Sequence, residues 1–438
     1  MSLMRKSSGV LASAVVVLAA AACTSRQPEN GSGSVGEVRI GVLAPLSREN
    51  KAAGTDAVRG AQLAAALVNG EEGPIRLAGV GTAGVAGLGG ARVAILPKDT
   101  RGDPQHGADM AAELVEREGA VALVGAYDTE ATDGASQRSE RLGVPFVNGD
   151  TSADFLTERG LDWFFRTGPN DRMFGEAFFS ALQQFPGGKT QRVAVLYAND
   201  RPGNVVKNLT AELADEGGYQ LVRPSGSGLA GFQFQPSTKD RPADPTQAIG
   251  RVRAQQPDVV FVVVSQPKDA EQVLKAFSRL NYTPPGILTF SAGFFEPTVL
   301  QAAGPDGQGL LYSAAWSREV AGRNPAAKPI MDVYEARFAA PMTEVAAGSF
   351  TAVLALVKAI GDARSVDPQR VRAALLNLDI PGRDTIMPWN GVRFDAATHQ
   401  NTGASGVVEQ VVQDTFRVVF PAELAQNRPV WPLSATRG

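Results

Sequence analysis

Cysteine is nearly absent from this chain. Cys23 is the only one in 438 residues, so no internal disulfide can form and stability must come from a packed core. Histidine is almost as scarce, and His106 and His399 lie far apart in sequence, which argues against a histidine-based metal centre or catalytic triad. Neither sign of charge dominates: the formal net charge is -3, a balance that gives no electrostatic grip on nucleic acid or anionic lipid. No G-x-S-x-G elbow, P-loop or H-E-x-x-H occurs. Beyond one apolar stretch near the start, no hydrophobic run is expected to reach the roughly 20 residues that span a bilayer. What remains is an ordinary globular composition, 44% apolar and 20% charged, with length for two domains.

The residues that are present begin with a leader. Arg5 and Lys6 give a positive start, residues 10–19 an apolar core, and Ala20, Ala21 and Ala22 a small-residue site before Cys23. This is the layout of a cleaved secretory signal, and from 9 to 22 it is too short for a spanning anchor. It resembles the bacterial lipobox, whose cysteine becomes the lipidated first residue of the mature protein, with Ala20 where leucine is usual. The expectation is a lipoprotein signal peptide over 1–22, acylation of Cys23 and anchorage to the outer face of the cell membrane. Residues 23–36, rich in Gly and Ser, read as a flexible tether spanning roughly 20 Å.

From residue 38 onward, short β-branched runs alternate with helix-length segments. Strands are expected at 38–43, 91–96, 121–124 and 145–147, with helices at 56–68, 103–118 and 129–141. Asp103-Pro104 is a helix start, a capping residue followed by proline at the first helical position. A second series has helices at 171–184, 203–216, 245–255 and 268–280, with strands at 192–197, 258–264 and 286–290. Helices at 329–338, 348–360 and 368–376 follow. Residues 391–395 and 407–419 read as two strands with a polar turn between them. Such alternation implies an α/β fold of two doubly wound parallel-sheet lobes built from right-handed βαβ units. Gly79-Val-Gly-Thr-Ala-Gly84 matches the dinucleotide fingerprint literally. However, no helix fits between it and the strand at 91, so it reads as a glycine-rich loop. No cofactor is expected.

Several segments occur together in the order of one family. They are Ile40-Gly-Val-Leu-Ala-Pro-Leu-Ser47, the helix from Asp103 to Val115, Val121-Ala-Leu-Val-Gly-Ala-Tyr127 and Gly143-Val-Pro-Phe-Val147. Phe165 to Asp171, Val193 to Tyr197 and Pro257 to Val264 complete the set. The set resembles the type I periplasmic solute-binding proteins typified by the branched-chain amino-acid receptors of ABC importers, and it covers the chain from 37 to about 421. The resemblance implies two lobes joined by a three-segment hinge, with lobe one holding 37–168 and 314–385 and lobe two 169–313 and 386–433. It also implies a solute held between the lobes, and ABC permease subunits and a membrane as partners.

The resemblance places ligand contacts in the loops after the strands: Ser47 and Arg48, then Tyr127, Asp128 and Thr129, then Asp150, Thr151 and Ser152. Asp171 matches an acid of the family at the lobe boundary. Asp200 and Arg201 stand beside Pro202, where the family has an aromatic, and Ser265 or Gln266 where another is usual. Ser291 aligns with the acid that pairs with a ligand ammonium. Ser152 matches a pocket hydroxyl, but acids replace serines at 128–130 and a small residue at 150, so only part of the amino-acid clamp is present. Asp128 and Asp150 read equally well as helix caps, Glu130 reads as a first-turn dipole partner rather than a ligand contact, and Asp171, which could also be a cap, is favoured for the site by its family match. Packing is the simpler role for Trp163, Trp316 and Trp389; Phe294 and Phe295 are the better aromatic candidates for the cleft. The reading is an extracytoplasmic lipoprotein that binds a small solute, a branched-chain amino acid or related amide or polar metabolite, for an ABC importer. The competing reading is a ligand-free interaction protein that regulates an envelope enzyme or sensor; a hydrolase lacks any nucleophile motif.

Overall fold

The computed structural model describes residues 36–72, 75, 83–185, 192–290, 294 and 304–433. The leader, Cys23, the tether up to 35, residues 79–82 of the glycine motif, Ser291 and Phe295 lie outside the described residues. Runs of Val, Ile and Leu become parallel strands because helices cover both of their faces. In the first sheet, β1 (Glu37–Ala44) lies between β2 (Arg92–Asp99) and β3 (Ala122–Gly125), followed by β4 (Phe146–Asn148) and β5 (Phe164–Arg166). The order is β2-β1-β3-β4-β5, with every pairing parallel. The crossovers are α1 (Lys51–Val68), α2 (Pro104–Glu116) and α3 (Thr129–Leu142), with a single turn, α4 (Phe155–Glu158), before β5. Asp103 caps α2, accepting from His106 N at 2.7 Å, with Pro104 at the first helical position.

The second lobe begins with α5 (Asp171–Gln184), β6 (Arg192–Ala198), α6 (Arg201–Glu216) and two short strands, β7 (Gln220–Val222) and β8 (Phe232–Phe234). It continues with α7 (Thr246–Ala254), β9 (Val259–Val263), α8 (Pro267–Arg279), β10 (Gly286–Phe290) and β11 (Leu311–Ala314). The chain then returns to lobe one for α9 (Arg318–Ala321), α10 (Ala327–Phe338), α11 (Glu344–Ala363) and α12 (Pro368–Leu376). Two short strands follow, β12 (Ile380–Pro381) and β13 (Gly391–Val392). A hairpin, β14 (Val407–Val412) and β15 (Thr415–Phe420), closes the second sheet in the order β15-β14-β11-β10-β9-β6-β7, with β8 on β6.

Three expectations need correction. Residues 407–419 form a hairpin rather than one strand, because Gln413 and Asp414 take positive φ and turn the chain back. The strand expected at 391–395 shrinks to Gly391–Val392, paired antiparallel with β12 inside lobe one. Trp389, Val392, Phe394 and Ala404 pack in the same core as β1 and α11, so the third crossing falls near 405, not 386. In addition, α11 is long and apolar enough to cross a membrane, which the sequence reading did not anticipate. Here its apolar surface is buried in lobe one: Phe350, Val353 and Leu356 are fully covered. Gly60 of α1 admits the backbone of Ala346, a contact any Cβ would block.

Candidate functional site

Open α/β sheets bind ligands beyond the carboxyl ends of their strands. The loops after β3 and β4 meet those after β6 and β9 there, around a cavity of about 300 Å³ between the lobes. Its wall includes Asp128, Thr129, Asp150, Ser152, Asp171 and Ser265. Tyr127, at φ +72°, also reaches the wall. An aromatic residue in left-handed backbone is uncommon and persists where the surroundings impose it.

Asp128 occupies the N-cap position of α3 in extended backbone, yet its side chain makes no cap bond. Oδ1 accepts from Asn50 Nδ2 in the β1–α1 loop, and Oδ2 is buried without a hydrogen-bond partner. Burial raises its carboxyl pKa. Asp150 shows the same pattern. Oδ2 accepts from Ser349 Oγ of α11 at 3.3 Å, and Oδ1 has no partner. It lies against Gly348, where a Cβ would overlap it. Desolvation pushes Asp150 up to about 7, so it changes charge near neutrality. Asp171 opens α5, but the cap is Asn170, which accepts from Met173 N at 2.9 Å. Asp171 instead accepts from the Ser152 hydroxyl; burial raises its pKa, opposed by that bond and by the charge of Arg166.

Arg166, fully buried, organises this floor. Nε donates to Gln400 Oε1 at 2.6 Å, Nη1 to Ala153 O at 2.7 Å, and Nη2 to Thr157 Oγ1 at 3.0 Å. One guanidinium thus fixes the loop after β4 to the third connecting segment. At the mouth, Arg201 pairs with Glu130 at 3.1 Å and Lys268 with Glu49 at 3.3 Å, each bond joining one lobe to the other. Arg201 also lies over the Phe155 ring, 5.1 Å from its centroid. The arginine on the cavity wall is therefore matched by Glu130, while Asp128, Asp150 and Asp171 bring three carboxyl groups to the same wall. Such a wall takes hydrogen-bond donors: amides, hydroxyls or an ammonium group.

The chain matches the family model described as periplasmic binding protein over residues 37–415. It belongs to the periplasmic binding protein family. Leu/Ile/Val-binding protein homolog 8 of Brucella abortus is 23% identical over 401 residues, covering 90% of this chain and 92% of that protein. The branched-chain amino acid transporter substrate binding protein LivJ of Streptococcus pneumoniae, solved with isoleucine, superposes with a TM-score of 0.66 at 19% identity. It covers 88% of this chain and 100% of that one. A solute binding protein of R. palustris, solved with benzoate, gives a TM-score of 0.66 at 16% identity, covering 88% and 96%. At these identities the structural likeness establishes the fold. Members of this family are solute-binding proteins that work outside the cytoplasm.

In this periplasmic binding protein, Tyr127, Asp128, Thr129, Asp150, Thr151, Ser152, Asp171 and Ser265 converge on one cavity. Other expected residues are placed elsewhere. Ser47 Oγ donates to Asp99 Oδ2 at 2.6 Å, tying the first loop to the end of β2. Arg48 is exposed and donates to Arg101 O at 3.3 Å. Asp200 caps α6 through Gly203 N at 2.7 Å, whereas Asp128, Asp150 and Asp171 cap no helix with their side chains. Thr151 sits on the wall, but its hydroxyl donates to Tyr127 O at 2.8 Å. Phe294 packs in the lobe-two core rather than the cleft. Trp163 and Trp389 pack in lobe one, and Trp316 donates to Ile386 O at 3.1 Å at the hinge. Asn50 and Arg166 were not anticipated. For Arg166 the available signal was a lone charge ending the apolar strand Phe164-Phe165-Arg166.

Proposed function

We propose that the chain is the lipid-anchored receptor of an ABC importer, capturing a small solute between its lobes and handing it to permease subunits in the membrane. The observation that supports capture is the cavity wall itself, where the polar side chains of Asp128, Thr129, Asp150, Ser152, Asp171 and Ser265 converge from both lobes. A concave space lined by a few converging polar groups is what a small polar solute fills. A ligand-free interaction protein gains nothing from polar groups that converge on a cavity.

Within the class of branched-chain amino acids and related amides or polar metabolites, the acids narrow the choice. A free ligand carboxylate would meet Asp128 and Asp171, and Asp150 wherever that group is ionised, with Arg201 already matched by Glu130. Like charges a few ångströms apart in a partly dry site cost on the order of kcal/mol. The solute is therefore neutral and rich in hydroxyl or amide groups, or cationic. Titration calorimetry with leucine, valine and a set of amides, polyols and amines tests this. The expected result is binding of a donor-rich solute that weakens in Asp128→Asn and Asp150→Asn. Micromolar leucine binding that survives both changes would overturn the charge assignment. No heat and no thermal shift with any solute would return the interaction protein.

A further inference from the structure

A larger cavity, about 530 Å³, adjoins the cleft across Tyr127, Asp150 and Ser152, which border both spaces. It lies at the hinge, between the start of α11 from lobe one and the β14–β15 hairpin of lobe two, and it meets the crossing residues Pro169, Ala315 and Trp316. Phe174, Tyr312, Trp316, Met342 and Met387 give it apolar, largely aromatic walls. Its interior polar groups are acids. Glu409, 6% exposed, stands on β14 directly opposite Tyr312 of β11 and accepts from the Ser317 hydroxyl. Glu344 accepts from Ala315 N at 2.9 Å and from Tyr312 Oη at 3.3 Å. Asp150 contributes the third carboxyl. The arginines of the wall lie at the rim: Arg318 is paired with Glu335 of α10, and Arg417 is exposed. Asp414 and Glu319 share that rim. The interior is thus apolar, with three carboxyl groups and no basic side chain among them.

A space of this volume suits a small organic ligand, and aromatic faces beside carboxylates favour a cation. We propose that the hinge cavity is a second ligand site, which takes an apolar amine: an aromatic or alkyl body carrying one ammonium group, seated between Glu344 and Glu409. Such a ligand touches lobe one through α11 and lobe two through the hairpin. Its occupancy therefore favours one lobe angle over another, and by linkage alters affinity in the cleft. Glu344 and Glu409 carry protons near neutrality because burial raises them to about 8 and about 7. Asp150 and Glu409 act on Glu344, and Glu319 on Glu409, each in the same direction. Entry of an ammonium group displaces one of these protons.

The test is titration calorimetry of the mature protein with phenethylamine, using phenethyl alcohol and phenylpropionate as charge controls, in two buffers of different ionisation enthalpy. Phenethylamine binds with proton release, and both controls bind at least about tenfold more weakly. Glu344→Gln and Glu409→Gln each lower its affinity by roughly tenfold, whereas Asp128→Asn, confined to the cleft wall, leaves it unchanged. Should a glutamine variant fail to fold, Val345→Trp, which narrows the cavity from its wall, must abolish binding. Amine binding lost in Asp128→Asn but kept in Glu409→Gln would assign the amine to the cleft and overturn the second site. No binding of phenethylamine at millimolar concentration would overturn it as well.

Discussion

Asp128 and Asp200 stand in the same place relative to a helix, one residue before its first turn, and they are used in opposite ways. Asp200 bonds Gly203 N; Asp128 turns from α3 to Asn50 and joins the wall of the cleft. Removing a capping side chain typically costs about 1 kcal/mol. Asp200→Ala should therefore lower the melting temperature and leave solute affinity intact. Asp128→Asn should weaken the solute while raising the melting temperature at pH 8, because it removes a carboxylate whose charged form is disfavoured by burial. Parallel melts and titrations check both, and a solute loss in Asp200→Ala would return that residue to the site. Sequence placed both acids before helices but could not tell the two uses apart. The partner that decides, Asn50, lies 78 residues from Asp128. Arg166 was hidden for the same reason, since Gln400 is 234 residues away.

Among the elements, α11 joins two duties. Its middle fills the lobe-one core, and its first turns supply Glu344 and Gly348 to the hinge cavity and the Ser349 hydroxyl to Asp150. Burial raises Glu344 to about 8 and Asp150 and Glu409 to about 7. All three have folded-state values above those of the unfolded chain, which lie near 4. Their contribution to stability is complete below that value and is lost as pH rises through about 7 to 8. The melting temperature should accordingly fall between pH 5 and pH 9, and Glu409→Gln should flatten that fall. A pH profile identical in the variant and the parent would remove Glu409 from the account. Long elements such as α11 were legible because many apolar positions repeat along them. Residues 386–404 were not, because they hold only β13, two residues long, and carry no period to read. The third crossing was therefore misplaced.

The architecture of the whole molecule was read from the alternation of strands and helices, a pattern set by local physics over dozens of residues, and the ordered family segments agree with it. Two predictions belong to this scale. Cys23→Ser should release the protein from the membrane fraction, because acyl chains supply about 0.8 kcal/mol per buried CH₂; unchanged fractionation and mass would exclude the anchor. A bound solute should reduce the radius measured by small-angle scattering, and the pair Arg201→Ala with Lys268→Ala should enlarge it when no solute is present. A radius indifferent to both would mean that the lobes do not hinge. The two bonds behind that second expectation are exposed, and exposed pairs contribute little singly and fade with salt, over a screening length of about 8 Å at physiological strength. The buried contacts of the cleft are screened far less. Salinity thus acts on the latch and spares the grip: in brine the solute is held by the same atoms but leaves sooner.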